Sequence, residues 1–257
     1  PDVLMLVSVL GLAPQMDKII DICNEFNIIL LEDTCESMGT KYKNKKLGTF
    51  GLMSSFSTYF GHHISTIEGG FVSTNDEEMY EILKCIRSHG WTRDSSEEFT
   101  KKHVEEWGTN NFDLLYKFYY SGFNLRSTDL QAFIGLGQID KLDYICSRRN
   151  ENFHIYNDGL QGFAPIMTQG ENFISNFAYP IISNNRDKIV KNLRDNDIEV
   201  RPLICGSMGH QPFYVKKHDR LALKNADMVN KYGMYIPNHQ DLQKHQIEII
   251  INLIRST

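Results

Sequence analysis

Two apolar runs joined by one helical repeat set the fold class of this chain. Val3 to Val9 is an almost continuous apolar run ending near Gly11, the pattern of a strand buried on both faces of a parallel sheet. Met16, Ile19, Ile20, Cys23 and Phe26 then recur at helical spacing, with Pro14 near the helix start. Ile28 to Leu31 is a second buried strand, closing in Glu32-Asp33. Parallel strands need a crossover, so strand, helix, strand predicts an α/β domain. Ligands of such sheets gather at the carboxyl ends of strands. Asp33 sits at one such end.

The stretch from Phe56 to Val72 is the second constraint. Met53 to Thr58 reads as a buried strand that runs into a polar turn carrying His62 and His63, followed by Glu68-Gly69-Gly70 and a second apolar strand, Phe71 to Ser73. The two glycines permit a tight bend there. Taken singly, Asp33, Ser57 and the histidines are ordinary turn and strand-end residues. Together, in that order at strand ends, they form a candidate site.

Elsewhere, Tyr42 to Gly51 predicts a polar surface hairpin with solvated lysines. A helix begins at Asp76 and runs through Ile86, with Gly90 as its cap. Residues 92–121 lack periodicity and predict a long loop. A helix starting at Ser127-Thr128-Asp129 places Leu130, Phe133, Ile134, Leu136, Ile139, Leu142 and Ile145 on one apolar seam. Later segments alternate: strand Phe173 to Ile182, helix Arg186 to Asn196, strand Ile198 to Leu203, helix Gln243 to Ile254. The organisation expected is residues 1–125 in a large domain, then 126–257 as a connecting helix and a smaller α+β domain.

Composition narrows the function. A formal charge of −5 gives no reason to expect nucleic acid or an anionic membrane as partner. No apolar run approaches the ~20 residues that span a bilayer. Five dispersed cysteines without a C-x-x-C pair point to reduced thiols and a cytoplasmic setting. The chain opens Pro1-Asp2-Val3 and is expected to start partway into a longer protein.

Several pieces carry a family resemblance. Glu32-Asp33-Thr34-Cys35-Glu36-Ser37-Met38-Gly39 matches E-D-x-x-x-x-x-G; then follow Gly48-Thr49-Phe50-Gly51, Phe56-Ser57 and Glu68-Gly69-Gly70. Gly122-Phe123-Asn124-Leu125-Arg126 matches G-x-N-x-R, with Asp129-Leu130-Gln131-Ala132 after it. In this order they resemble the DegT-type sugar aminotransferase and dehydratase family, pyridoxal-phosphate enzymes of the aspartate aminotransferase (type I) fold. The resemblance implies a three-layer large domain, here incomplete, plus the smaller C-terminal domain, and a homodimer.

It also implies roles. Asp33 would pair with the pyridine nitrogen of pyridoxal 5'-phosphate or pyridoxamine 5'-phosphate, Ser57 would contact its phosphate, and Asn124 would reach a neighbouring subunit's phosphate. The family's cofactor-linking lysine stands five residues after the serine, where this chain has His62. Imidazole cannot make the covalent link that a lysine amine makes, but it moves protons near neutral pH. That substitution resembles the branch of the family that removes the C-3 hydroxyl of a nucleotide-linked 4-keto-6-deoxyhexose, with an amino donor such as glutamate. The stretch Arg201 to Pro212 is similar to that branch, with Ser207 where it has asparagine. One type in the branch holds an iron–sulfur cluster on clustered cysteines. Only Cys85 lies in the sixty residues after His62, and one thiolate cannot hold a cluster, so the cluster-free, GDP-sugar type is favoured.

Arg87, His89 and His210 are weaker substrate-contact candidates, for which packing at a helix end is an equal reading. Two alternatives stand beside the dehydratase: an aminotransferase using Lys84, Lys101, Lys102 or Lys117, and a non-catalytic member. The segment preceding Pro1 would normally supply a Gly/Ser-rich phosphate turn and an aromatic that stacks on the cofactor ring.

Overall fold

The computed structural model describes residues 1–163 and 172–257. In chain order, β1 (Val3–Val7), α1 (Met16–Glu25) and β2 (Ile29–Asp33) form the expected crossover unit, and a hairpin of β3 (Lys41–Tyr42) and β4 (Lys45–Lys46) precedes β5 (Met53–Ser57) and β6 (Gly70–Thr74). Then come α2 (Glu77–Ile86), α3 (Glu97–Trp107), α4 (Asp129–Ile139) and α5 (Leu142–Gly159). The chain ends with β7 (Ala178–Ile182), α6 (Arg186–Asp195), β8 (Arg201–Pro202), α7 (Pro212–Val215), α8 (Lys224–Tyr232), β9 (Gly233–Pro237) and α9 (Lys244–Arg255).

The first sheet has the order β1-β2-β5-β6, parallel except for β6, which runs antiparallel to β5. The second sheet, β7-β9-β8, is antiparallel. One apolar core runs from Met16 and Cys23 of α1 and Leu30 of β2, through Phe153 and Tyr156 of α5, to Ile181, Ile236 and Ile247, Ile250, Ile251 and Ile254 of α9.

Several sequence expectations need correction. β1 is not buried on both faces: Val3, Met5 and Val7 are about half exposed, because side chains alternate along the strand and only Leu4 and Leu6 turn toward the core. Residues 92–121 are not all loop. Ser96 caps α3 by accepting from Phe99 N at 3.3 Å, Glu97 and Glu98 occupy the first turn, and Gly108 ends the helix at φ +57°. The seam that starts at residue 127 is two helices broken at Asp140-Lys141. α4 begins in a reciprocal cap between Thr128 and Gln131, and its Leu130, Phe133, Leu136 and Ile139 face outward.

The strands expected at 173–182 and 198–203 are shorter, at 178–182 and 201–202. Side chains take the earlier backbone groups: Ile174 N donates to Asn150 Oδ1 at 2.8 Å and Ser175 N to Thr40 Oγ1 at 3.0 Å. Gly90 does bond back to Cys85 O at 2.8 Å, as a cap should. Its φ of +90° and the Tyr120 carbonyl, 1.8 Å from where a Cβ would stand, exclude any side chain there.

The carboxylate of Glu32 is the first sheet's internal tie. Glu32 is 1% exposed and accepts from Gly48 N at 2.7 Å, Phe50 N at 2.6 Å and Gly51 N at 2.8 Å. Such charge-assisted bonds offset the cost of burying the carboxylate. Glu32→Ala leaves three partly buried donors unpaired, and is expected to lower unfolding stability by about 3 kcal/mol. Urea denaturation checks this against the exposed Glu25→Ala, expected within ~0.5 kcal/mol of wild type.

Candidate functional site

Alternation along β2 separates two adjacent carboxylates. Glu32 turns under the sheet, and Asp33 turns to the other face, where its Oδ1 accepts from Cys35 N at 3.1 Å. Burial and then Asp33 push the Cys35 thiol up to about 11. β5 pairs in parallel beside β2 and ends at Ser57, whose Oγ accepts from Tyr59 N at 3.1 Å. That leaves the hydroxyl proton free to donate elsewhere.

The turn from Thr58 to Gly69 is closed at its neck. Thr58 N donates to Gly69 O at 3.0 Å, Thr66 N to Thr58 O at 2.9 Å, and the two threonine hydroxyls meet at 2.6 Å. Gly69 has φ +145°, and a Cβ there would lie 2.7 Å from both hydroxyl oxygens. The glycine is therefore required by the closure.

The two histidines of this turn have different environments. His63 is 4% exposed, with Nε2 at 2.8 Å from Ser175 O and 2.9 Å from Ser175 Oγ. Burial first, then the charge of Arg149, push it down to about 3. It is a neutral anchor for the turn.

His62 is half-buried, packed edge-on against Tyr59 at 5.8 Å and Phe177 at 5.5 Å between ring centroids. Its buried Nδ1 has no hydrogen-bond partner. Burial, then Arg149, lower its pKa from the ordinary value, while Asp33 pulls it the other way. A half-buried neutral imidazole with an unmet ring nitrogen is suited to proton transfer.

His62 lines a cleft of about 420 Å³ between the two sheets, with Tyr59, Phe177, Arg149, Arg201 and Tyr235 among its walls. No lysine is found among the described residues that line it. Three of the alternative lysines are in ion pairs elsewhere: Lys84 with Glu81, Lys101 with Glu105 and Lys102 with Glu78.

The other predicted residues, Asp33 and Ser57 included, are not among the described residues that line this cleft. Arg87 pairs with Asp94 at 3.6 Å, and the His89 ring packs on Trp91 at 4.8 Å. Asn124 bridges to Ser88 in the backbone and accepts from Arg126 Nε at 3.4 Å, so these three share one strap after α2. His210 is held at 3.1 Å by Asp227 and at 3.2 Å by Arg220.

Sequence reasoning missed Arg149, Phe177 and Tyr235. Arg149 carried a signal: it stands on the face of α5 that also presents Cys146, Asn152, Phe153 and Tyr156 to the interior, where an arginine is out of place. Phe177 and Tyr235 carried none, since the segment before β7 and the middle of β9 meet at the cleft only in three dimensions.

Residues 2–255 match the DegT/DnrJ/EryC1/StrS aminotransferase family. The chain is 36% identical to GDP-4-keto-6-deoxy-D-mannose 3-dehydratase of Escherichia coli O55:H7, over 92% of this chain and 63% of that protein. It is 34% identical to the enzyme of that name from Yersinia pseudotuberculosis, over 98% of this chain and 66% of that protein. The chain thus spans a little under two thirds of the length of these curated relatives. A solved structure of the E. coli dehydratase with bound hydrated PLP superposes with a TM-score of 0.85 at 32% identity, covering 98% of this chain and 67% of that one. The α/β architecture is that of the pyridoxal-phosphate-dependent aminotransferases, as the motifs implied.

His63 generates a pH prediction. In the unfolded chain it takes up a proton near its ordinary 6.5, and in the fold only near 3. The unfolded state therefore binds more protons in that window, and stability falls as pH drops through it. Urea midpoints should decline from pH 6.5 downward, and His63→Gln should flatten that slope.

Proposed function

We propose that this chain, which belongs to the DegT/DnrJ/EryC1/StrS aminotransferase family, carries the site of a pyridoxamine/pyridoxal-phosphate-dependent 3-dehydratase. Its substrate would be a nucleotide-linked 4-keto-6-deoxyhexose, with GDP as the favoured nucleotide, in deoxysugar and lipopolysaccharide biosynthesis. The observation that carries the reading is His62, an imidazole with an unmet ring nitrogen in a cleft without lysine. The fold similarity to a dehydratase holding hydrated PLP supports it. The setting proposed is a homodimer in the cytoplasm. Among the described residues no helix is long and apolar enough to cross a membrane.

The residues fit the cofactor. When bound, it supplies an electron sink and an amine able to condense with a ketone. Asp33, at the carboxyl end of β2, would hold its ring nitrogen protonated, and its charge already acts on His62. Ser57 would donate its free hydroxyl proton to the phosphate, and Asn124 would reach the phosphate held by a second copy. The Nδ1 of His62 has no hydrogen-bond partner among the described residues, which suits a ring that exchanges protons.

The chemistry of the chain's own groups then follows. Neutral His62 would take up, at its lone-pair nitrogen, the carbon-bound proton that the cofactor's electron sink acidifies, the electron pair left behind expelling the C-3 hydroxyl, and the half-buried ring keeps that proton from bulk water. The imidazolium then delivers it to the departing C-3 hydroxyl, so that water leaves. Asp33, close enough to favour the charged ring, stabilises that protonated stage. Because no side-chain amine in the cleft competes for the cofactor aldehyde, an amino donor such as glutamate would be needed to load the amine form.

Absorbance spectra test this. Pyridoxal phosphate and pyridoxamine phosphate are added in turn to wild type and to His62→Lys. The wild type should retain the pyridoxamine form, and only His62→Lys should give a borohydride-trappable adduct. A trappable adduct in the wild type would show that another lysine serves the cofactor and overturn the assignment of His62. In the loaded enzyme, His62→Asn should lose about 10²–10⁴-fold in dehydration rate, the range of general acid–base catalysis.

A further inference from the structure

The base proposed at His62 is gripped from behind by a buried cation without an ion-pair partner among the described residues, Asp241 acting on it only at a distance. Arg149 is 4% exposed, and its Nη2 donates to the His62 carbonyl at 3.0 Å. Its Nε and Nη1 are buried without hydrogen-bond partners. No ion pair reaches it among the described residues, and burial lowers its own pKa to about 10. Its backbone is fixed in turn: Asn238 Nδ2 donates to Arg149 O at 3.1 Å and to the buried Asn176. Burying a guanidinium without an ion-pair partner is costly, and packing alone would be met by an aliphatic side chain.

We infer that Arg149 is the positioning residue for His62: it sets the base's place in the cleft through the main chain and its readiness to accept a proton through its buried charge. The inference rests on the reading of His62 as the base.

The other charges around the ring leave Arg149 as the cation that acts on it. From the second sheet, Glu199 and Arg201 are paired with each other at 2.6 Å. After β9, His239 stands 3.9 Å from Asp241. From the β2 end come Asp33, which opposes Arg149 at His62, and Glu36, whose carboxyl burial pushes up toward its neutral form. His63, next in the chain, is held neutral. The ring thus sits between one carboxylate and one guanidinium, with burial and Arg149 outweighing Asp33.

Two variants separate charge from scaffold. Arg149→Gln keeps a donor for the His62 carbonyl and removes the charge; Arg149→Lys keeps the charge. The readout is the NMR titration midpoint of the His62 ring in this chain without cofactor, assigned by loss of its signal in His62→Gln. The midpoint should move up in Arg149→Gln and stay at the wild-type value in Arg149→Lys. In the loaded enzyme, the acid limb of the rate profile should move with it.

An unmoved midpoint in folded Arg149→Gln overturns the inference and reduces Arg149 to a structural tie. Should Arg149→Gln fail to fold, the neutral Arg149→Met takes its place: a raised midpoint there supports the inference, and an unmoved one overturns it. The titration needs no cofactor, so it fails or succeeds independently of the dehydratase reading, which the spectra decide.

Discussion

The first sheet depends on one buried carboxylate. Glu32 collects three backbone N–H groups from the 48–51 turn, which brings the chain back beneath β2 and fixes where β5 begins. β5 then pairs in parallel with β2, and its last residue is Ser57. Because side chains alternate along a strand, burying Glu32 turns Asp33 to the opposite face. A structural contact below the sheet thereby positions a chemical group above it.

The turn after β5 converts that placement into a site. Thr58, Thr66 and Gly69 close its neck, and His63 fastens its far side to Ser175. His62 is left at the cleft, held by its carbonyl to Arg149 and by its ring between Tyr59 and Phe177. Neighbouring imidazoles thus divide the work by burial. The fully buried one loses its ability to charge, and the half-buried one keeps a proton affinity that chemistry can use.

Much of this was legible in the order of residues. The crossover at the start, the hairpin at 41–46 and the helices at 16–25, 77–86, 186–195 and 244–255 follow from periodicity and caps that are local. The helix at 97–107 was also written locally, in Ser96, Glu97, Glu98 and Gly108, but its low apolar content hid the repeat. The strands at 173–177 and 198–200 failed for a different reason. Their apolar texture is real, but at 174 and 175 distant side chains, Asn150 and Thr40, take the backbone N–H groups, and Ile198 N turns back to Leu193 O at the end of α6. The outward face of α4 reads as core in sequence, because periodicity reports which residues share a face and not what lies against it.

By itself the sequence determined the α/β class, the family motifs, and the chemical identity of the group five residues after Ser57. Those are properties of residue type and short spacing. Tertiary structure alone decided which histidine faces the cleft, that Arg149 stands behind it, and that Phe177 and Tyr235 wall it. The physical reason is separation along the chain. Residues 62, 149, 177 and 235 meet because two sheets and α5 share one core, and the field a charge exerts depends on that meeting and on the burial it brings.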